Sequence, residues 1–261
     1  MSNLQANKIS KIFKDNKAFI AFLTAGDPSL DKTEEFILAI EKAGADLVEI
    51  GIPFSDPIAE GPVVQEANER ALSVGTTTDK IFMMVKRVRQ KTAIPLVFLT
   101  YINPIFVYGI DRFFKACQES GINGIIIPDL PFEEKGEVLD VAKTYGVDVI
   151  TLIAPTSKDR IQTLAKEAAG FIYLVSSMGV TGVRSEIKTD LKTMIDDIRQ
   201  VSETPIAVGF GISDPDQAKA IAKISDGVIV GSAIVKIIAE HGDNASDSLY
   251  NYVKSMKEAI S

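Results

Sequence analysis

LVEIGIPFSDPIAEGP, residues 47–62, is the stretch that decides how this chain reads. It opens with Leu47, Val48, Glu49 and Ile50, three aliphatic side chains and one carboxylate in what reads as a buried strand. A charge in such a strand is unfavourable unless something pairs with it or it does chemistry. A loop with two prolines and two more acids, Asp56 and Glu60, follows at once, and Gly61-Pro62 starts a new helix. An inward acid near the C-terminal end of a strand, then a loop carrying a second acid, is the pattern of a catalytic barrel strand.

Outward from this stretch the same unit recurs: a helical segment, a glycine, one or two polar residues, a short aliphatic run. It is seen in AGADLVEIG (43–51), SGINGIIIPD (120–129), YGVDVITLIAP (145–155), AAGFIYLVSS (168–177) and SDGVIVGS (225–232). The glycine suits the left-handed position that ends a helix. The aliphatic runs lack polar alternation, so they are covered on both faces, as parallel strands are. AFIAFLTAG (18–26), IPLVFLTY (94–101) and TPIAVGFG (204–211) complete eight strands.

Helical periodicity fills the gaps. Residues 31–43 place Phe36, Ile37, Ile40 and Ala43 on one face, with Asp31 and Glu34 at capping-box spacing. Segments 81–89, 111–119, 132–145, 159–168, 191–201 and 216–224 read alike, the last capped by Ser213. Segment 7–14 reads as an extra helix under the barrel, and 246–260 as a closing amphipathic helix. The expectation is an α/β fold: a single (β/α)8 TIM barrel over residues 1–261, with an extra N-terminal helix and a short extra helix at a phosphate site. The rival doubly wound sheet carries a glycine-rich turn after its first strand. Here TAGDPS stands there instead of GxGxxG.

Composition narrows the function. A net charge of −7 argues against a nucleic-acid partner. One cysteine, Cys117, excludes an intrachain disulfide and points to a reducing compartment. With His241 the one histidine, no His/Cys metal site can be built, and a Ser-His-Asp triad would rest wholly on that residue. Residues 1–15 hold no apolar core of the signal-peptide kind, and no apolar run approaches the ~18 residues of a membrane span. A soluble cytoplasmic protein is expected.

Two loops mark an anion site. VGFGIS (208–213) follows strand seven, and VGSAIV (230–235) follows strand eight and opens a short helix, with Ser232 as a hydroxyl donor. Glycines there let backbone N–H groups approach a phosphate, and the helix N-terminus favours its charge. SSMGVTGVRS (176–185), after strand six, is placed to close over the same ligand. Read alone, each of these glycines is equally a turn.

Among the acids, Glu49 is either a structural acid paired across the barrel or a proton-transfer group with a raised pKa. The eight strand segments contain no Arg or Lys, which favours the second reading. Glu60 reads equally as a site acid or as an acid favouring a helix N-terminus. Asp27 and Asp56, each before a proline, read as turn residues, and Asp129 as a partner for nearby backbone. Tyr173 reads as core or as a phenol facing the pocket. A Schiff-base aldolase needs a desolvated lysine. The nearest candidate, Lys236, lies in the short last helix, so carbon–carbon chemistry here runs on acid–base catalysis.

VEIGIPFSDPIAEGPVVQEA, with YLVSSMGVTG, VGFGIS and GSAIVKII, resembles the tryptophan synthase alpha subunit family, from about residue 19 to about residue 238. The resemblance implies a barrel lyase that splits indole-3-glycerol phosphate into indole and glyceraldehyde 3-phosphate. It matches Glu49 to the catalytic glutamate that moves the proton to indole C3 and helps remove the glycerol hydroxyl proton. It matches Glu60 to the acid that bonds the indole N–H, where the family pattern has aspartate, and Tyr173 to the active-site tyrosine. Phe22, Leu99, Tyr101, Phe210 and Ile229 fall on the apolar wall around the indole. Gly182, Gly211, Gly231 and Ser232 fall on the phosphate site, and Thr181 on the loop-six threonine that contacts the catalytic region. Ser177 stands where an arginine is expected. The family has no cofactor of its own and pairs, as an alpha2-beta2 heterotetramer, with a beta subunit that holds pyridoxal phosphate. Residues 53–56 and 103–106 are the implied contact points, the latter read as an apolar loop that equally suits packing on the barrel rim. Two other readings stay open: a different phosphate-binding barrel enzyme, and a barrel that binds or activates a partner without chemistry.

Overall fold

The run AFIAFLT forms β1 (Ala18–Thr24), in which all seven residues are buried. Such a strand needs cover on both faces, and the fold supplies it. The computed structural model describes residues 8–176, 184–209 and 211–261. After α1 (Lys8–Lys11) and β1 come α2 (Leu30–Lys42), β2 (Leu47–Gly51), α3 (Pro62–Ser73), α4 (Thr78–Arg89), β3 (Leu96–Leu99), α5 (Ile102–Tyr108), α6 (Ile110–Ser120) and β4 (Gly124–Ile126). The second half runs α7 (Gly136–Thr144), β5 (Asp148–Val149), β6 (Thr151–Ile153), α8 (Lys158–Lys166), β7 (Ile172–Val175), α9 (Arg184–Arg199), β8 (Ile206–Gly209), α10 (Pro215–Ala222), β9 (Gly227–Val230), α11 (Ser232–His241) and α12 (Ser246–Ile260).

The strands lie side by side in the order β5-β4-β3-β2-β1-β9-β8-β7-β6, every pair parallel. The fifth of the eight expected strands is interrupted at Ile150: its first part pairs with β4 and its second with β7. That break is the seam at which the sheet closes on itself, and the Ile150 amide still bonds the Ile125 carbonyl at 2.8 Å. The fold is the expected TIM barrel.

Alternation along each strand sorts the core into two layers. Ile20, Leu47, Val97, Ile126, Ile150, Phe171, Ala207 and Ile229 point inward and fill the barrel. Their neighbours, such as Val48, Ile50, Phe98, Leu174 and Val208, point outward and pack under helices that supply Phe36, Ile37, Ile40 and Phe113. Ile9 of α1 seats under the barrel, so close that a Cβ on Gly124 would stand 2.9 Å from its Cδ1. The N-terminal helix therefore closes the lower end, as expected.

Several local expectations change. Ser29 caps α2, its hydroxyl accepting from the Lys32 amide at 3.2 Å. Asp31 and Glu34, rather than forming a capping box, reach across to Arg87 of α4 at 2.9 and 2.8 Å. Asp214 caps α10 through the Gln217 amide, whereas Ser213 bonds the Gln217 side chain. Residues 103–106 belong to α5 and not to a loop. Pro104 is tolerated because it sits in the first turn, where its missing N–H leaves no helical bond unmade. Asp129 Oδ1 accepts the Ile102 amide that opens this helix, at 2.9 Å. No helix among the described residues is long and apolar enough to cross a membrane.

Candidate active site

Inward residues of β2 are Leu47, Glu49 and Gly51, the last two toward the C-terminal end of the barrel. Glu49 stands in register between Phe22 of β1 and Val97 of β3 and is 1% exposed. Among the described residues its Oε2 finds no hydrogen-bond partner. Burial first, and the nearby charge of Glu60 second, push its carboxyl up to about 8. A carboxyl in this state is mostly protonated at neutral pH, with a proton to give and a reachable anionic form. The structural-acid reading needs a cationic partner, and none of the described ion pairs involves Glu49.

Glu60 ends the loop after β2. Its Oε2 accepts a hydrogen bond from Asn68 Nδ2 of α3 at 2.7 Å, and its carbonyl accepts one from Gln65 Nε2 at 2.8 Å. Burial raises its carboxyl, and the Asn68 amide works against that rise. The same loop is fastened to the residue that precedes α5: the Ala59 amide donates to Tyr101 Oη at 3.0 Å, and the Phe54 and Tyr101 rings stand 5.3 Å apart. Tyr101, expected in the apolar wall, is buried and holds this loop.

The wall assembles around these acids. Phe22 packs with Val64 and Ala67 of α3, Val235 of α11 and Leu99 of β3. Gly51 permits this, since a Cβ there would meet the Phe22 ring at 2.8 Å. Tyr173 lies inside the barrel with Ile229. Burial, and then the Glu49 charge, raise its phenol well above the ordinary tyrosine value. Tyr173 thus faces the barrel interior and not the outer core.

Where a phosphate was expected from sequence, Gly211 holds φ +76°, a conformation open to glycine. Gly231 precedes α11 without a side-chain cap, and Ser232 is exposed at the first position of that helix. The helix N-terminus is therefore available to an anion. Thr181, Gly182, Ser177 and Phe210 lie outside the described residues.

The structure brings Glu49, Glu60, Tyr173, Phe22, Leu99, Tyr101 and Ile229 to one end of the barrel. Lys236 is exposed on α11, and His241 ends that helix. Among the described residues no cluster of His, Cys, Asp or Glu is placed to hold a metal ion. Asp27, read from sequence as a turn residue, is buried and takes both prongs of Arg70 of α3, at 2.9 and 2.8 Å. Asn68 escaped the sequence reading. Its signal was present: an amide at the i+4 position of the apolar stripe Val64, Ala67, Ala71.

Comparison with known proteins places relatives beside this geometry. A family model described as tryptophan synthase alpha chain matches residues 9–261. The chain is 50% identical over 253 residues to the tryptophan synthase alpha chain of Lactiplantibacillus plantarum, covering 97% of this chain and 96% of that one. It is 46% identical over 254 residues to that of Lacticaseibacillus casei, with the same coverage. Among solved structures, the tryptophan synthase subunit alpha of Legionella pneumophila superposes with TM-score 0.89 at 36% identity, covering 97% of this chain and 98% of that one. A chain from the tryptophan synthase a2b2 complex of Pyrococcus furiosus superposes with TM-score 0.85 at 37% identity, covering 92% and 98%.

Proposed function

The chain belongs to the tryptophan synthase alpha chain family, and from that premise we propose how its residues carry out the family's reaction. The reaction is cleavage of indole-3-glycerol phosphate to indole and glyceraldehyde 3-phosphate, a lyase step of tryptophan biosynthesis. The observation that carries the residue assignment is Glu49: a buried carboxyl, unpaired at Oε2 among the described residues and raised to about 8, beside a second carboxyl and the apolar Phe22.

The substrate phosphate binds at the N-terminus of α11, on Gly231 and Ser232, with Gly211 and Gly182 supplying close backbone approach. The indole lies among Phe22, Leu99, Tyr101, Phe210 and Ile229. Glu60, ionised, accepts the indole N–H. Glu49 delivers its proton to indole C3, and Glu60 stabilises the positive charge that develops on the ring nitrogen. Glu49, now a carboxylate, takes the proton of the hydroxyl on the carbon attached to C3. The C3–carbon bond breaks, its electrons neutralise the ring, and an aldehyde leaves. The proton lent is recovered, so Glu49 is regenerated. Tyr173 lies beside Glu49, and Thr181 is assigned a contact with the catalytic region.

The reading gives this chain no cofactor of its own and places pyridoxal phosphate in a partner beta subunit, within an alpha2-beta2 heterotetramer. Support comes from the apolar rim at this end of the barrel, where Ile58, Phe106 and Val107 are 81%, 52% and 81% exposed. A cytoplasmic setting fits the one buried thiol, Cys117. Indole release from indole-3-glycerol phosphate, with and without a beta subunit, tests the reading; no release in either mixture would sink it.

A further inference from the structure

Asn68 is 3% exposed, on a helix face otherwise made of Val64, Ala67 and Ala71. A buried amide on such a face is unfavourable unless it is bonded. Its bond goes to Glu60 Oε2 at 2.7 Å, the short end of the N–H···O range. The two ends of that bond differ in freedom. α3 is anchored: Arg70, two residues beyond Asn68, makes its two-pronged pair with buried Asp27, and Val64 and Ala67 pack on Phe22. Glu60 lies in a loop and carries a glutamate side chain, one torsion longer than the aspartate of the family pattern. Left alone, that carboxylate samples several rotamers.

We propose that Asn68 is a positioning residue for the reaction: it holds Glu60 by Oε2 against the anchored helix α3 and leaves Oε1 for the indole N–H. The proposal rests on the lyase reading above. Among the described residues Oε1 accepts no hydrogen bond, so the clamp does not compete with the ligand for that oxygen. Anchoring one oxygen on α3 also fixes where the longer side chain ends. A displacement of about 1 Å at such a contact lowers turnover up to ~100-fold. The residue does not touch the reacting atoms; it acts through Glu60.

The test uses the full chain with a beta subunit present, and reads two independent signals. The first is the carboxyl titration of Glu60, followed by 13C NMR of glutamate-labelled protein and assigned through Glu60→Gln. The second is the pH profile of indole release, separated into kcat and KM. In Asn68→Ala the Glu60 titration moves up, kcat falls about 10- to 100-fold with KM little changed, and the acid limb of kcat/KM moves up in step. Asn68→Asp keeps the side-chain shape, sets a second carboxyl against the first, and moves the limb further the same way. In a Glu60→Gln background, Asn68→Ala adds no comparable loss. A Glu60 titration that stays in place in both variants overturns the proposal. So does a kcat loss that is equal in the Glu60→Gln background. Absence of turnover in the wild type overturns the lyase reading, while the titration still reports the clamp.

Discussion

The Tyr173 phenol lies across Gly209, so that a Cβ at that glycine would stand 2.5 Å from Tyr173 Oη and 2.7 Å from two ring carbons. Two inward positions of neighbouring strands thus share one side-chain volume. Gly209→Ala should destabilise the fold by about 1–3 kcal/mol through overpacking and displace the phenol from the pocket, lowering indole release. In a Tyr173→Ala background the same substitution should be nearly neutral. A double-mutant cycle from urea unfolding gives the coupling directly. Additive effects would contradict the shared volume.

Glu49 gives a pH dependence with a definite sign. Its folded-state carboxyl is raised to about 8 from an ordinary value of 4.5. Between these values the folded chain keeps a proton that the unfolded chain has lost. Stability therefore falls as pH rises through that window, by at most about 1.4 kcal/mol per pH unit from this group, and the loss is complete above it. Glu49→Gln removes the slope. Urea midpoints at pH 5 and pH 9 should show the variant gaining on the wild type at the higher pH; a constant difference would speak against the raised carboxyl.

Breaking the Asp27–Arg70 pair should loosen α3. Asp27 is 2% exposed, and in Arg70→Leu it stays buried without its partner. The expected loss is about 2–3 kcal/mol, below the full figure for buried pairs because the guanidinium is partly in water. Arg70→Lys keeps the charge but not the fork and should recover only part of it. Urea unfolding measures the loss, and indole release should fall with it because α3 carries the Glu60 clamp.

The rim residues Ile58 and Val107 are each 81% exposed, so replacing them should leave folding alone. Ile58→Asp and Val107→Asp should each weaken beta-subunit binding at least about tenfold, since a charge in an apolar contact is left unpaired. Titrating the beta subunit against the rise in indole release measures this. Unchanged affinity would move the contact elsewhere on the barrel.

How much was legible in sequence follows from which forces act locally. The strands were legible because two-sided burial writes an unbroken aliphatic run, as in 18–24 and 227–230. Glu49 was legible because it interrupts such a run. Helix α5 was not: Pro104 masked it, and its first amide is satisfied by Asp129, distant in sequence. The roles of Asp31 and Glu34 were misread because capping-box spacing also suits ion pairs to the next helix, α4. Asp27 looked like a turn because its partner Arg70 lies 43 residues away. The break at Ile150 depends on barrel closure, which no single strand encodes.

The central claim is that Glu49 moves the proton on which bond cleavage depends. The most direct test is indole release from indole-3-glycerol phosphate by the wild type and Glu49→Gln, each with the beta subunit present. The account predicts steady release by the wild type and a fall of at least ~100-fold in kcat for the variant, with substrate still bound. Release by Glu49→Gln at a rate close to the wild type would contradict it.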